Sequence, residues 1–270
     1  MVVDETLIEM FQHDGAVTVR GLLDHEWIAS LRANVDAMLE RAYDPRARLG
    51  SKRAAESQNV MCDGMWRDND AFHDFLFESP IGETAAAMMR SQSARLFEDL
   101  LLYGAAGADG KASWHQDEPG WPVRGLQLAS VWFTLDGASS ETGALRIVAG
   151  SHRGPMYRPR VSSKRADTIG DDWQHWSDEP LPDIETAPED YDILVYETEP
   201  GDAVVFHPRA LHTGKGSSPD HPRRTFTIRM LGDDIRWQPR SVLFHPWMAE
   251  CGFEEGDVLD HPGFPVVWRA

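Results

Sequence analysis

From about residue 94 the chain reads as a succession of short apolar runs broken at close intervals by Gly, Pro, Asp and Ser. The runs are RLFEDLLLYG, GLQLASVWFTLDG, GALRIVAG, DILVYETEPG, DAVVFHP and RRTFTIRML. Many short strands with no interleaved helices point to a sandwich or a barrel, a mainly β architecture. The first ninety residues differ. ETLIEMFQHDG carries apolar Leu7, Ile8 and Phe11 and stops at Gly15, which suits a helix end. AVTVRGLL alternates as a strand, and Asp24 is placed to cap HEWIASLRANVDAMLERAY, whose apolar residues recur at near-helical spacing. A third helical stretch is expected near 70–90, interrupted at Pro80. Residues 156–190 are polar, contain proline and lack any period. A loop that long inside a compact domain reads as a lid over a site.

The chemistry concentrates in SWHQDEPGW, residues 113–121, where His115 and Asp117 flank Gln116. On an extended segment the side-chain period is two, so the imidazole and the carboxylate share a face while Gln116 points away. A metal site, a proton relay and a surface accident all remain open on that spacing alone. One further histidine would complete a set of two imidazoles and a carboxylate, which leaves three positions of a six-coordinate ion open and suits non-haem Fe(II). Structural zinc would prefer a closed site with thiolates, and no cysteine lies near. Among the chain's 11 histidines, His212 in PGDAVVFHPRALHTGKG is the best placed and His207 its rival. Further on, RRTFTIRM places Arg223, Thr225, Thr227 and Arg229 on one strand face, with Phe226, Ile228 and Met230 on the other. A cationic face of this kind matches a carboxylate, which a guanidinium grips with two parallel hydrogen bonds.

A formal net charge of −18 argues against nucleic acid and against anionic membrane surfaces. No apolar run approaches the roughly 18–20 residues that span a bilayer, and the N-terminus lacks a basic-then-apolar leader. Cys62 and Cys251 lie far apart and form no paired motif. A cytoplasmic, reducing location is expected, with a small molecule as partner; nothing in the sequence sets an oligomeric state.

Taken together, FEDLLLYG, WHQDEPGWP, LASVWFTLDGASSETGALRIVAGSHRG and ILVYETEPGDAVVFHPRALHTGKGSSPDHPRRTFTIRMLGDD, with the N-terminal FQHDGAVTVRGLLD, resemble the phytanoyl-CoA dioxygenase family of Fe(II)/2-oxoglutarate-dependent oxygenases. The resemblance covers most of the chain and is strongest over 96–234. It implies a double-stranded β-helix (jelly-roll, cupin-like) core with flanking N-terminal helices, a single domain over 1–270 with core strands at about 94–235. It implies Fe(II) held by His115, Asp117 and His212, with 2-oxoglutarate and O2 as cosubstrates. Arg223 takes the place of the arginine that pairs with the distal carboxylate of 2-oxoglutarate, and Arg224 then faces outward; a one-residue shift of register would exchange the two. Trp132 matches an aromatic position lining the cosubstrate pocket; Gln127 and Ser130 lie on the same run, and Trp121 is expected on the substrate side, with Trp173 and Trp176 as further aromatic walls.

Three departures stand out: Tyr103 where many relatives carry lysine, Ser217 for a common asparagine, and VAGSH for PGSH. They bear on the substrate and remove no metal ligand. The implied reaction is hydroxylation, or another oxidation, of an unactivated C–H bond, and Asp117 argues against the halogenating branch. The alternatives are a metal-dependent cupin-type enzyme that does not use 2-oxoglutarate, and a non-catalytic binding protein on the same fold.

Overall fold

The computed structural model describes residues 3–40, 59–108, 112–159, 175–214, 218, 220–240 and 246–270. Helix α1 (Glu5–Asp14) starts where the Asp4 carboxylate accepts from the Leu7 amide, and it ends at Gly15, whose φ of 81° is left-handed. Strand β1 (Ala16–Val19) and helix α2 (His25–Glu40) follow. Asp24 caps α2 through the Trp27 amide at 2.9 Å. The expected third helix is two, α3 (Asp70–Glu78) and α4 (Ile81–Met89), separated at Ser79–Pro80 as the missing proline N–H requires.

The strands are β2 (Asn59–Asp63), β3 (Ser93–Gly104), β4 (Val123–Arg124), β5 (Leu128–Thr134), β6 (Leu145–Val148), β7 (Ile193–Tyr196), β8 (Ala203–Phe206), β9 (His212–Gly214), β10 (Arg223–Leu231), β11 (Arg236–Trp237) and β12 (Val266–Arg269). The larger sheet runs β1-β8-β5-β10-β3-β12, with β2 also paired to β3; the smaller runs β7-β6-β9, and β11 pairs with β4. Every pairing in the larger sheet is antiparallel. This is the two-sheet jelly-roll architecture with N-terminal helices that the sequence implied.

Three strands of the larger sheet lie outside the span expected for the core. β1 and β12 form the edges of the larger sheet, and β2 runs beside the second half of β3. NVMCD and VVWR are too short to show a period of their own; their order comes from pairing with longer strands.

The larger sheet separates two apolar layers. Its outer face, with Val131, Phe133, Val205, Phe226 and Ile228, packs against Phe11, Leu31, Phe75 and Ile81 from the four helices. On the inner face Trp132, Val204 and Phe206 meet Leu145 and Ile147 of the smaller sheet. Toward the other end Phe97, Leu128 and Leu231 meet Trp121, Trp237 and Phe264. Polar side chains on the inner face therefore look into the space between the sheets. Among the described residues no helix is long and apolar enough to cross a membrane.

Candidate metal centre

His212 opens β9 of the smaller sheet, and His115 pairs with it directly. The His115 amide donates to the His212 carbonyl at 3.0 Å, and the reverse bond measures 2.9 Å. The two segments are thus locked side by side, far apart in sequence.

Asp117 arrives differently from the expectation. The extended pairing ends at His115, and Asp117 sits in right-handed helical conformation (φ −84°, ψ −43°) at the start of a one-turn helix through Glu118, Pro119 and Gly120. The cause is one acceptor, since the amides of Asp117 and Glu118 both donate to the Pro208 carbonyl, at 2.8 and 3.2 Å. That contact rolls the chain over just before the distal histidine segment. Carboxylate and imidazoles still converge, with Asp117 Oδ1 3.6 Å from His115 Nε2 and 4.0 Å from His212 Nε2. All three candidate ligand atoms lie within 4.8 Å of one another. Adjacent donors on an octahedral ion with bonds of about 2.1 Å lie about 3 Å apart, so a small closure brings this set onto one ion.

The tautomers suit that use. His115 Nδ1–H donates to the Ser113 carbonyl and His212 Nδ1–H to the Ala210 carbonyl, each at 2.8 Å. A carbonyl only accepts, so both Nδ1 atoms carry a proton and both Nε2 atoms face Asp117. Orientation of ligating imidazoles by a backbone carbonyl is typical of metal sites. Burial, joined by the nearby His115, pushes His212 down to about 4, so this imidazole is neutral at physiological pH. Burial also works against a charged His115, but the hydrogen bond and charge of Asp117 outweigh it and raise its pKa. For Asp117 burial opposes ionisation, yet the Arg229 guanidinium and the two imidazoles hold it well below the usual carboxylate range.

Arg229 shares the strand face of Arg223, as parity predicts, and is buried on the inner face opposite Ser130 and Glu98. Its Nη2 donates to Asp117 Oδ2 at 2.9 Å, its Nη1 donates to Glu98, and its guanidinium lies 5.5 Å from the centre of the Trp121 ring.

A second charged pair anchors the same turn. Glu118, with no exposed surface, accepts both prongs of Arg209 at 2.9 and 2.6 Å, while Arg240 donates to the Glu118 carbonyl at 2.6 Å. Gln116 points away as its parity predicts. Its amide donates to the carbonyls of Pro155 and Arg209, and its oxygen accepts from the Tyr157 amide. The described ends of the 156–190 segment therefore rest on this turn, and Trp176 Nε1 donates to the Pro119 carbonyl at 3.2 Å. Residues 160–174, including Trp173, lie outside the described residues, as does Ser217.

Arg223 opens β10 with its side chain turned inward, where it donates to the Gly143 carbonyl at 3.0 Å and lies 5.9 Å from the centre of the Trp132 ring. Burial pushes its pKa down to about 10, which leaves it charged at neutral pH. Arg223 Nη2 is 3.5 Å from where a Cβ on Gly214 would stand. Gly214 lies two residues beyond His212 on β9 and shares its face, a backbone step of about 7 Å, and the guanidinium lies beside the Gly214 end of that step. Arg224 faces the helices, bonded to Asp136 at 2.6 Å and to Asp36 at 2.7 Å. Between the sheets the hydroxyls of Ser130 and Thr225 are buried with no hydrogen-bond partner among the described residues.

Four expected residues are placed elsewhere. The Gln127 amide donates to the Arg90 carbonyl and accepts from the Asp234 amide, so it is not brought to the Arg223–Trp132 pair. Trp121 has no exposed surface and packs against Phe97 with ring centres 4.7 Å apart; it is core and not a wall of an open cavity. Tyr103, opposite Arg224, joins the helix-facing layer, which leaves Leu102 on the inner face. His207 is buried away from the ligand cluster, its Nε2–H donating to the Leu126 carbonyl and its Nδ1 accepting from the Arg209 amide.

The sequence profile of the phytanoyl-CoA dioxygenase (PhyH) family matches residues 11–225. A curated relative, phytanoyl-CoA dioxygenase domain-containing protein 1 of Danio rerio, is 24% identical over 153 residues, 55% of this chain and 49% of the relative. The chain thus spans about half the length of that relative. Among solved structures, the non-heme alpha ketoglutarate dependent carbocyclase SnoK from nogalamycin biosynthesis superposes with a TM-score of 0.74 at 18% identity, covering 98% of this chain and 97% of that one. The epimerase SnoN in complex with Fe3+, alpha ketoglutarate and nogalamycin RO gives 0.73 at 20%, covering 98% of both chains. EctD from S. alaskensis with 2-oxoglutarate and 5-hydroxyectoine gives 0.67 at 16%, covering 91% and 82%. At these identities the likeness is one of fold.

Proposed function

The chain belongs to the phytanoyl-CoA dioxygenase family, and from that premise we propose that it acts as one Fe(II)- and 2-oxoglutarate-dependent oxygenase domain oxidising a C–H bond of a small organic molecule. The observation that carries this reading is the placement of Arg223. Two imidazoles and a carboxylate offer the donor set of a non-haem Fe(II) site, with three positions left for other ligands. Beside Gly214, a backbone step of about 7 Å along the same strand from His212, lies a buried guanidinium within reach of a five-carbon diacid anchored at the ion. The partnerless hydroxyls of Ser130 and Thr225 between the sheets also suit a polar ligand, because a buried hydroxyl without a hydrogen bond is costly.

In this reading His115, Asp117 and His212 hold the iron, which when bound supplies the O2 chemistry coupled to decarboxylation of 2-oxoglutarate to succinate and CO2. Arg223 neutralises and orients the distal carboxylate of the cosubstrate. Trp132 walls the pocket on the larger sheet, and the layers of Leu145, Ile147, Val204 and Phe206 keep it dry. His212 is neutral and Asp117 ionised, so neither has to move a proton before the ion is held, whereas His115, whose pKa Asp117 raises, must release any Nε2 proton to bind it. The structural neighbours include a carbocyclase and an epimerase, so the outcome after C–H activation belongs to the substrate, with hydroxylation as our expectation.

The test is succinate release from 2-oxoglutarate with Fe(II) and O2. The wild-type chain should form succinate and Asp117→Ala should form none. Equal succinate from both would remove Asp117 from the metal, and none from the wild type at saturating Fe(II) and 2-oxoglutarate would favour the cupin-type enzyme that does not use 2-oxoglutarate.

A further inference from the structure

Asp117 has two carboxylate oxygens, and the structure gives them different partners. Oδ1 faces the Nε2 atoms of His115 and His212. Oδ2 accepts from Arg229 Nη2 at 2.9 Å. The guanidinium cannot follow Asp117 freely, because its other prong is bonded to Glu98, a buried carboxylate on β3, and it lies 5.5 Å from the centre of the Trp121 ring. Trp121 itself is clamped against Phe97 within a fully packed cluster. Arg229 is thus a rigid strut between β3 and the turn that carries Asp117.

We propose that Arg229, braced by Glu98, is a positioning residue that holds Asp117 in single-oxygen coordination through Oδ1 and so preserves an open position on the ion. This rests on the metal-site reading above. A carboxylate beside a divalent ion can offer one oxygen or two. If Asp117 swung to offer both, it would fill one of the three positions that the facial set leaves open. With Oδ2 held by a charge-assisted bond to a braced guanidinium, that swing requires breaking the bond in a buried place where neither group finds water.

Arginine is required by the geometry. A lysine ammonium is a point donor on a flexible stem and cannot serve Glu98 and Asp117 with a planar fork while lying on an indole. Glu98→Gln, in contrast, keeps an oxygen acceptor for Nη1 and preserves the brace, whereas Glu98→Ala removes it.

Co(II) reports coordination through its visible d–d bands without turnover, so wild type, R229K, E98A and E98Q are titrated with Co(II) alone. R229K and E98A should bind about 10–100-fold more weakly and share an altered band envelope, while E98Q keeps the wild-type envelope. A purely structural role would lower the melting temperature of R229K but leave affinity and envelope unchanged in the folded protein, and that result overturns the proposal. E98Q shifting as far as E98A would also overturn it, since the brace would then be charge and not geometry. Failure of wild type itself to bind Co(II) would sink the metal reading first, which separates the two claims.

Discussion

Replacing Arg223 by glutamine keeps much of its volume and one donor but removes the charge and the fork. The structure sets the size of the effect. Arg223 is held between the sheets, beside Gly143, Gly214 and Trp132, where burial disfavours its charge and pushes its pKa down to about 10. A cation kept in such a place is most useful to an anion that arrives without its water. Hydrogen bonds to charged groups contribute about 1.5–3 kcal/mol. At about 1.4 kcal/mol per decade this predicts a roughly 10- to 150-fold rise in the 2-oxoglutarate concentration that half-saturates succinate formation. The limiting rate at saturating cosubstrate should change much less, as expected for an interaction made equally in ground and transition states. Arg224→Gln is the matched control. Its guanidinium serves Asp136 and Asp36 on the helix side, so it should lower the melting temperature and leave the 2-oxoglutarate requirement unchanged. An unchanged requirement in Arg223→Gln, or a raised one in Arg224→Gln, would refute the assignment.

Glu118→Ala strands the Arg209 guanidinium beside a fully buried turn, and breaking a buried pair costs about 3–5 kcal/mol; chemical denaturation should show that loss, together with weaker metal binding because Asp117 rides on the same turn. His207→Ala should lower the melting temperature by removing the bond to the Leu126 carbonyl, yet leave metal stoichiometry by elemental analysis at the wild-type value; a lost equivalent of metal would make His207 a ligand after all. Burial raises Asp99 to about 7 although its carboxylate accepts from the Gly64 and Trp66 amides. A carboxyl whose folded pKa lies above its unfolded value of about 3.9 contributes fully below that value, and the contribution is lost as pH rises through about 7. The melting temperature should therefore fall between pH 5 and 7.5, with a smaller slope in Asp99→Asn; parallel slopes would contradict this.

Local features of the sequence were read correctly where they act locally. Gly15 ends α1 because its left-handed φ is cheap for glycine, Asp24 caps α2, and Pro80 divides the third helical stretch. Strand parity required Arg223 and Arg224 to face opposite ways, and the family resemblance, not the parity, chose Arg223 as the inward one. The pairing of His115 and Asp117 was legible as a spacing, although the local geometry was not. Whether Asp117 continues a strand or starts a turn depends on the Pro208 carbonyl, which lies far along the chain. The same applies to the residues that were missed. The Glu98 partner of Arg229 and the Arg209 partner of Glu118 come from other strands and loops, and no periodicity announces them. Gln127 was placed with the pocket because it lies on the same run as Trp132, but β5 begins only at Leu128, and the Gln127 amide closes the turn at Asp234 instead. Trp121 was given an open wall for its place four residues past Asp117; a fully packed aromatic cluster needs no different sequence signal from a pocket lining.

The central claim is that His115, Asp117 and His212 meet on one Fe(II) that also takes 2-oxoglutarate. Anaerobic titration of the full chain with Fe(II) and then 2-oxoglutarate, followed by visible absorption, tests it most directly. A charge-transfer band that saturates at one iron and one 2-oxoglutarate per chain, and is absent from Asp117→Ala and His212→Ala, is the predicted result. No band in the wild-type chain, or an equal band in either variant, would contradict it.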